Sequence, residues 1–190
     1  MKDTHRLAHF VKVYDDVIPQ TACSDILSYF HFHNDKAIAS GVENGQSDIA
    51  IRRAAEMNIS IKGGPQAVQI HDFLVSASKT VMEWYYEDVA EYAEWLNPIT
   101  SMESFRIKHY DMNEGYYKTH VDNVGERMFA VIFYLNDVTK GGETEFPLMK
   151  MKVPPKAGRV LVFPTTFMYP HQALVPVSND KIMIQGYINR

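Results

Sequence analysis

A chain of 190 residues with 46% hydrophobic and 22% charged side chains is long enough to bury a core and ordinary in composition for a globular protein. Its net charge of −4, with no run of Lys or Arg, argues against the basic footprint of a nucleic-acid partner. The single cysteine, Cys23, excludes an internal disulfide and a cysteine-based zinc site, and no stretch approaches the ~18 apolar residues of a membrane span.

The charged opening residues have no apolar run behind them, so they do not read as a secretory signal, and a soluble cytoplasmic protein is expected. Residues 10–17 (FVKVYDDV) alternate at first as an opening strand would. After Pro19, residues 20–32 place Ala22, Cys23, Ile26, Leu27 and Phe30 at helical spacing, and Cys23 reads as a small buried hydrophobe. Residues 34–48 read as a loop. Residues 48–62 read two ways: their Ala-rich beginning suits a helix, whereas 58–62 (NISIK) alternate like a strand. Gly63, Gly64 and Pro65 interrupt the chain, and a long helix is predicted from about residue 66 to 96, closed by Asn97-Pro98. Trp84, Tyr85, Tyr92 and Trp95 lie there among Glu83, Glu87, Asp88, Glu91 and Glu94, which suits packing against a sheet and not the stacking of bases.

The second half reads as strands at 103–110, 127–135, 159–163, 172–177 and 181–188, rich in β-branched and aromatic residues and divided by turn signals. Short strands so closely spaced favour a sandwich or jelly roll over a parallel α/β sheet. The expected class is α+β, mainly β, in one domain over 1–190, with a helix-rich part to about residue 98 and a strand-rich core, sandwich or jelly roll, beyond it.

Within the strand-rich half, His120-Val121-Asp122 would put an imidazole and a carboxylate on one face, because strand residues two apart share a side. Alone, such a pair is weak evidence. His171, after Tyr169-Pro170, is the candidate third ligand from a neighbouring strand. Two histidines and one carboxylate suit non-haem Fe(II), although Zn²⁺, Mn²⁺ or Ni²⁺ could take the same donors. Lys181 lies ten residues after His171, across the turn Ser178-Asn179-Asp180. A hairpin return would carry it into the same cavity, where a buried ammonium needs an anion such as the distal carboxylate of 2-oxoglutarate.

Further features lie in order around these residues. Tyr110 opens the segment that delivers His120 and Asp122; Tyr134-Leu135-Asn136 ends a long strand; Gly141-Gly142-Glu143-Thr144-Glu145-Phe146-Pro147 follows; His171 and Lys181 close the set. Over about 105–188 the chain resembles the prolyl 4-hydroxylase-like branch of the 2-oxoglutarate/Fe(II) dioxygenases. The resemblance implies a double-stranded β-helix (jelly roll) with N-terminal buttressing helices, using Fe(II), 2-oxoglutarate and O₂. It implies His120, Asp122 and His171 as iron ligands, Lys181 and Tyr134 on the 2-oxoglutarate C5 carboxylate, Tyr110 lining the cosubstrate pocket, and Arg127 contacting substrate at its mouth. The glycines at 141 and 142 read as a turn and Phe146 as core, with Glu143 and Glu145 not catalytic. His5, His9, His31, His33, His71 and His109 show no partners at metal spacing.

The function implied is hydroxylation of a C–H bond, with a prolyl or other residue of a peptide or protein as the leading substrate. Alternatives are a free amino acid or small metabolite as substrate, a cupin-like metal protein without 2-oxoglutarate chemistry, and a binding module that has kept the fold. Residues 34–65 and 111–119 are read as the loops that set specificity.

Overall fold

The computed structural model describes residues 5–39, 42–43, 46–47, 50–59 and 63–190. Two antiparallel sheets face each other. The larger runs in the order Lys12–Tyr14, Val160–Pro164, Arg127–Tyr134, Lys181–Asn189, Arg106–Tyr110, Ala55–Asn58 and Ile38–Ala39, with Ser101–Met102 also paired to Lys181–Asn189. The smaller runs Met151–Val153, Thr144–Phe146, His171–Ala173, Tyr116–His120 and Arg52–Arg53. Among the described residues every strand pair is antiparallel, as expected for a jelly roll and not for an α/β sheet.

Period-two alternation builds two cores from the same strands. On Arg127–Tyr134, residues Phe129, Val131 and Phe133 point to one side and Ala130, Ile132 and Tyr134 to the other. The first side joins Ile184 and Ile188 against the helices Gln20–Phe32 and Pro65–Asp88, through Phe30, Leu74, Val81 and Tyr85. The second side lies between the sheets with Leu161, Phe163, Phe146 and Tyr169. Each such side chain, fully buried, contributes about 1.5–3 kcal/mol, so the alternation is held from both faces at once.

The helix over Gln20–Phe32 forms at the residues its periodicity marks, with Cys23 buried in it. The second helix begins at Pro65, whose fixed φ suits a first helical residue, after Gly64 at φ +93°. Its α-helical part ends at Asp88, and Ala90–Trp95 continues as 3-10 helix. Tyr85 is fully buried and Tyr92 packs on the core, but Trp95 is 70% exposed, so the aromatic set does not lie on the sheet as a whole.

Several expectations change. Residues 111–119 are not all loop, because Tyr116–His120 is a strand of the smaller sheet. The helical reading of 48–62 fails: Arg52–Arg53 and Ala55–Asn58 are strands that extend the two sheets. The NISIK strand ends at Asn58, and residues 60–62 lie outside the described residues. The 34–48 loop contains a 3-10 turn at Asn34–Lys36 and the short strands Ile38–Ala39, Val42–Glu43 and Gln46–Ser47. The opening strand shrinks to Lys12–Tyr14, and the predicted 172–177 strand is His171–Ala173. Thr144–Phe146 and Met151–Val153 pair as strands where only a turn and a core phenylalanine were read.

Candidate metal centre and cosubstrate pocket

His120 closes its strand and His171 opens its own, and the two are directly paired in the antiparallel register. That pairing brings their rings to 4.3 Å between centroids. Asp122 reaches them by a different route from the one its spacing suggests. The strand stops at His120, so Asp122 belongs to the irregular segment that follows, and it is buried there. Its Oδ1 lies 3.6 Å from His120 Nε2 and its Oδ2 3.5 Å from His171 Nε2. One ligand-type atom from each of the three residues falls within 4.8 Å of the others.

Both imidazoles are oriented by their own backbone. His120 Nδ1 is 2.8 Å from the Lys118 carbonyl and His171 Nδ1 is 3.2 Å from the Tyr169 carbonyl. A carbonyl can only accept, so each Nδ1 carries the proton and each Nε2 presents a lone pair beside Asp122. Burial pushes the His171 pKa down to about 4 against the pull of Asp122, so the ring is neutral at ordinary pH, as a metal ligand must be. For Asp122, burial raises the pKa, but contact with the imidazolium form of His120, the positive charge of His171 and His120 in that form, and the Lys108 ammonium outweigh it and hold the carboxyl far below its usual range. Tyr117 stacks on His120 at 3.5 Å and 16°, with the Arg52 guanidinium 4.9 Å from the centre of the tyrosine ring. Phe163 meets His171 edge-on at 4.7 Å.

Lys181 heads the central strand of the larger sheet and pairs with Tyr110. Its side chain is 0% exposed, and its Nζ is buried with no hydrogen-bond partner, 5.2 Å from the Tyr110 ring centre and 5.5 Å from that of Tyr134. Burial lowers its pKa to about 7, opposed by Glu143 and reinforced by Lys108. Tyr110, the residue paired with Lys181, lines the same cavity as His120 and His171, so the orphan ammonium lies against a wall of that cavity. The Tyr134 hydroxyl is 2.8 Å from Thr144 Oγ1, which also lines it. Two neutral imidazoles and one carboxylate fit a divalent metal, and the unpaired buried cation beside Tyr110 fits the distal carboxylate of an anion bound there.

Arg127 is engaged elsewhere. Its Nε and Nη2 donate to Glu103 at 2.6 and 2.7 Å, and its guanidinium covers the Tyr187 ring at 3.6 Å. It lines a groove of about 300 Å³ with Asn123, Gly125 and Thr166, just beyond Asp122. His109, read as lacking partners, has them: Asp180 at 2.9 Å and Asp111 at 3.8 Å, in an exposed cluster. Sequence reasoning also passed over Lys108 and Gln185, both buried beside Asp122. Counting back two from Tyr110 and forward four from Lys181 would have put both on the cavity side.

Residues 105–189 match the model of the 2OG-Fe(II) oxygenase superfamily. The match spans the strand-rich part of the chain, just under half of its length. Members use Fe(II), 2-oxoglutarate and O₂, in keeping with the His-Asp-His cluster. An Acanthamoeba polyphaga mimivirus protein, named by inference as a prolyl 4-hydroxylase, is 28% identical over 165 residues, covering 80% of this chain and 59% of its own. This chain therefore spans less than two thirds of that relative's length. A Pseudomonas putida prolyl-4-hydroxylase crystal structure shares the fold with a TM-score of 0.75 at 17% identity, over 96% of this chain and 94% of that one. So does a Trichoplax adhaerens prolyl hydroxylase bound to a peptide fragment of the hypoxia inducible factor oxygen degradation domain, with a TM-score of 0.75 at 18% identity over 95% and 84%. The jelly-roll architecture that the resemblance implied is thus that of these enzymes. No described helix is long and apolar enough to cross a membrane.

Proposed function

We propose that this protein is an Fe(II)- and 2-oxoglutarate-dependent hydroxylase of prolyl residues in a peptide or protein, acting as one domain over residues 1–190 in the cytoplasm. The observation that carries the reading is Lys181: a fully buried ammonium without a hydrogen-bond partner, against the Tyr110 ring that lines the pocket of a two-histidine, one-carboxylate cluster. His120, Asp122 and His171 would hold the metal through Nε2, a carboxylate oxygen and Nε2. Bound iron with 2-oxoglutarate and O₂ supplies the oxidation of a C–H bond to C–OH, with 2-oxoglutarate converted to succinate and CO₂.

The chain's own residues do the rest. Lys181 would bind the distal carboxylate in a charge-assisted contact, in a dry site where such a contact is strong. Tyr134, with its hydroxyl held by Thr144, would give that carboxylate a second donor, and the Tyr110 ring would wall the pocket. The groove beyond Asp122 is where this reading seats the substrate. There Arg127 would shape the wall through Glu103 and Tyr187, with fewer free donors than its type suggests. Prolyl hydroxylase relatives in sequence and in fold support a peptidyl proline over a free metabolite. The family match and the buried Lys181 weigh against a cupin-like protein without 2-oxoglutarate.

The test offers proline-containing peptides, free proline and free lysine with Fe(II), 2-oxoglutarate and O₂. Succinate and a peptide heavier by one oxygen are expected. Turnover of a free amino acid with no peptide product would refute the substrate and leave the oxygenase standing.

A further inference from the structure

A second buried lysine has no part in that reading. Lys108 is 4% exposed, lies two residues before Tyr110 on the same strand face, and lines the cavity of the metal cluster. Its ammonium donates to Gln185 Oε1. Gln185, itself buried, donates from Nε2 to Asp122 Oδ2 at 3.1 Å. A buried lysine whose hydrogen bond goes to a neutral amide is an expensive way to fill space, and burial lowers its pKa to about 8. Packing alone gives no reason for it.

The chemistry of the three groups gives one. An ammonium has only donors and a carboxylate only acceptors, whereas an amide has one end of each kind. A glutamine between them satisfies both in a single orientation, with its oxygen on Lys108 and its NH₂ on Asp122. Turned over, it would set two donors against each other and two acceptors against each other. Asp122 needs such support, because it lies past the end of its strand, where no ladder bonds fix its direction.

We propose that Lys108 and Gln185 are positioning residues for the metal: Lys108 fixes the Gln185 amide, and Gln185 holds the Asp122 carboxylate towards His120 and His171. The inference rests on the metal-centre reading above. It also makes a prediction of unusual sign. A cation near a metal site repels the metal, so removing a bystander lysine would strengthen binding; removing a positioning lysine weakens it.

Mn(II), a redox-silent stand-in for iron, can be titrated in air and followed by EPR, with no turnover required. Gln185→Leu is expected to weaken Mn(II) binding about 10–100-fold, the usual cost of losing an outer partner of a metal ligand. Lys108→Met is expected to weaken it less, by about tenfold or under, because the freed amide can still face Asp122 part of the time. In the double variant, Lys108→Met should cause no further loss, since its positioning effect runs through Gln185 and its direct charge effect only repels the metal. Melting curves of the metal-free variants check that each is folded. Lys108→Met binding Mn(II) as tightly as wild type, or more tightly, would overturn the proposal, as would additive losses in the double variant. Should Lys108→Met fail to fold, undiminished binding by Gln185→Leu overturns it instead. Failure of the wild type to bind Mn(II) would remove the metal-centre reading, and this inference with it.

Discussion

Replacing Lys181 with Met should make the ligand-free protein more stable while abolishing its grip on 2-oxoglutarate. Methionine matches the lysine stem in length and needs no hydrogen bond, whereas the ammonium is fully buried and has none. A lysine whose ordinary pKa of 10.5 is lowered to about 7 by burial is disfavoured as a cation by at most about 5 kcal/mol, at about 1.4 kcal/mol per pH unit. Lost contact with the Tyr110 and Tyr134 rings offsets part of the gain, so roughly 2 kcal/mol net is a fair expectation. For a domain of this size that raises Tm by about 4–8 °C. The pH dependence has a fixed sign. Because the folded pKa lies below the unfolded one, the unfolded chain binds more protons between about pH 7 and 10.5, and wild-type stability climbs across that window. The advantage of the variant is therefore full below about pH 7 and shrinks as pH rises above it. Thermal melts with and without 2-oxoglutarate and Mn(II) read both effects. A variant that is less stable than wild type at neutral pH and still gains Tm from 2-oxoglutarate would refute the reasoning about this pocket.

Tyr134→Phe removes the hydroxyl that meets Thr144 at 2.8 Å and is expected to raise the KM for 2-oxoglutarate about fivefold, the worth of roughly 1 kcal/mol for one hydrogen bond, with Mn(II) affinity unchanged. Arg127→Ala leaves Glu103 without its two bonds and uncovers Tyr187, so a stability loss of about 2–3 kcal/mol is expected in urea unfolding, most of it shared by Glu103→Gln. If Arg127→Ala instead keeps full stability and loses only peptide turnover, the arginine contacts substrate directly, as the sequence suggested.

The parts of the site legible in the sequence are those whose spacing survives folding. His171 and Lys181 stand on successive strands of one return, and Tyr110 pairs with Lys181 across the sheet, so their separations along the chain carry geometric information. Asp122 was legible for an incomplete reason: its place two residues after His120 matters, but the chain has left the strand by then. Residues 116–119 of the strand Tyr116–His120 were read as loop because none of them is buried, leaving no apolar face to betray the period. The Arg52–Arg53 and Ala55–Asn58 strands were hidden by alanines that suit a helix, and sheet pairing overrode that weak preference. Lys108 and Gln185 sat inside strands read for their apolar content, where a polar residue draws notice only if its face is asked for.

That question of face ties the fold to the chemistry. On Lys181–Asn189, the odd positions Lys181, Met183, Gln185 and Tyr187 look into the space between the sheets, and the even positions Ile182, Ile184 and Ile188 look towards the helices. Gly186 belongs to the second set, and a Cβ there would meet the Phe105 ring at 2.7 Å, so even the missing side chain is matched to its neighbour. A slip of one residue would exchange the two faces. It would push Lys181 and Gln185 into the helix-side core and bring isoleucines to the His-Asp-His cluster. The apolar residues on the even side therefore do more than stabilise the sheet: by making the wrong register costly, they specify which polar side chains face the cavity. The strand that carries Lys181 lies between Arg127–Tyr134 and Arg106–Tyr110, paired on both edges, where that register is held most firmly.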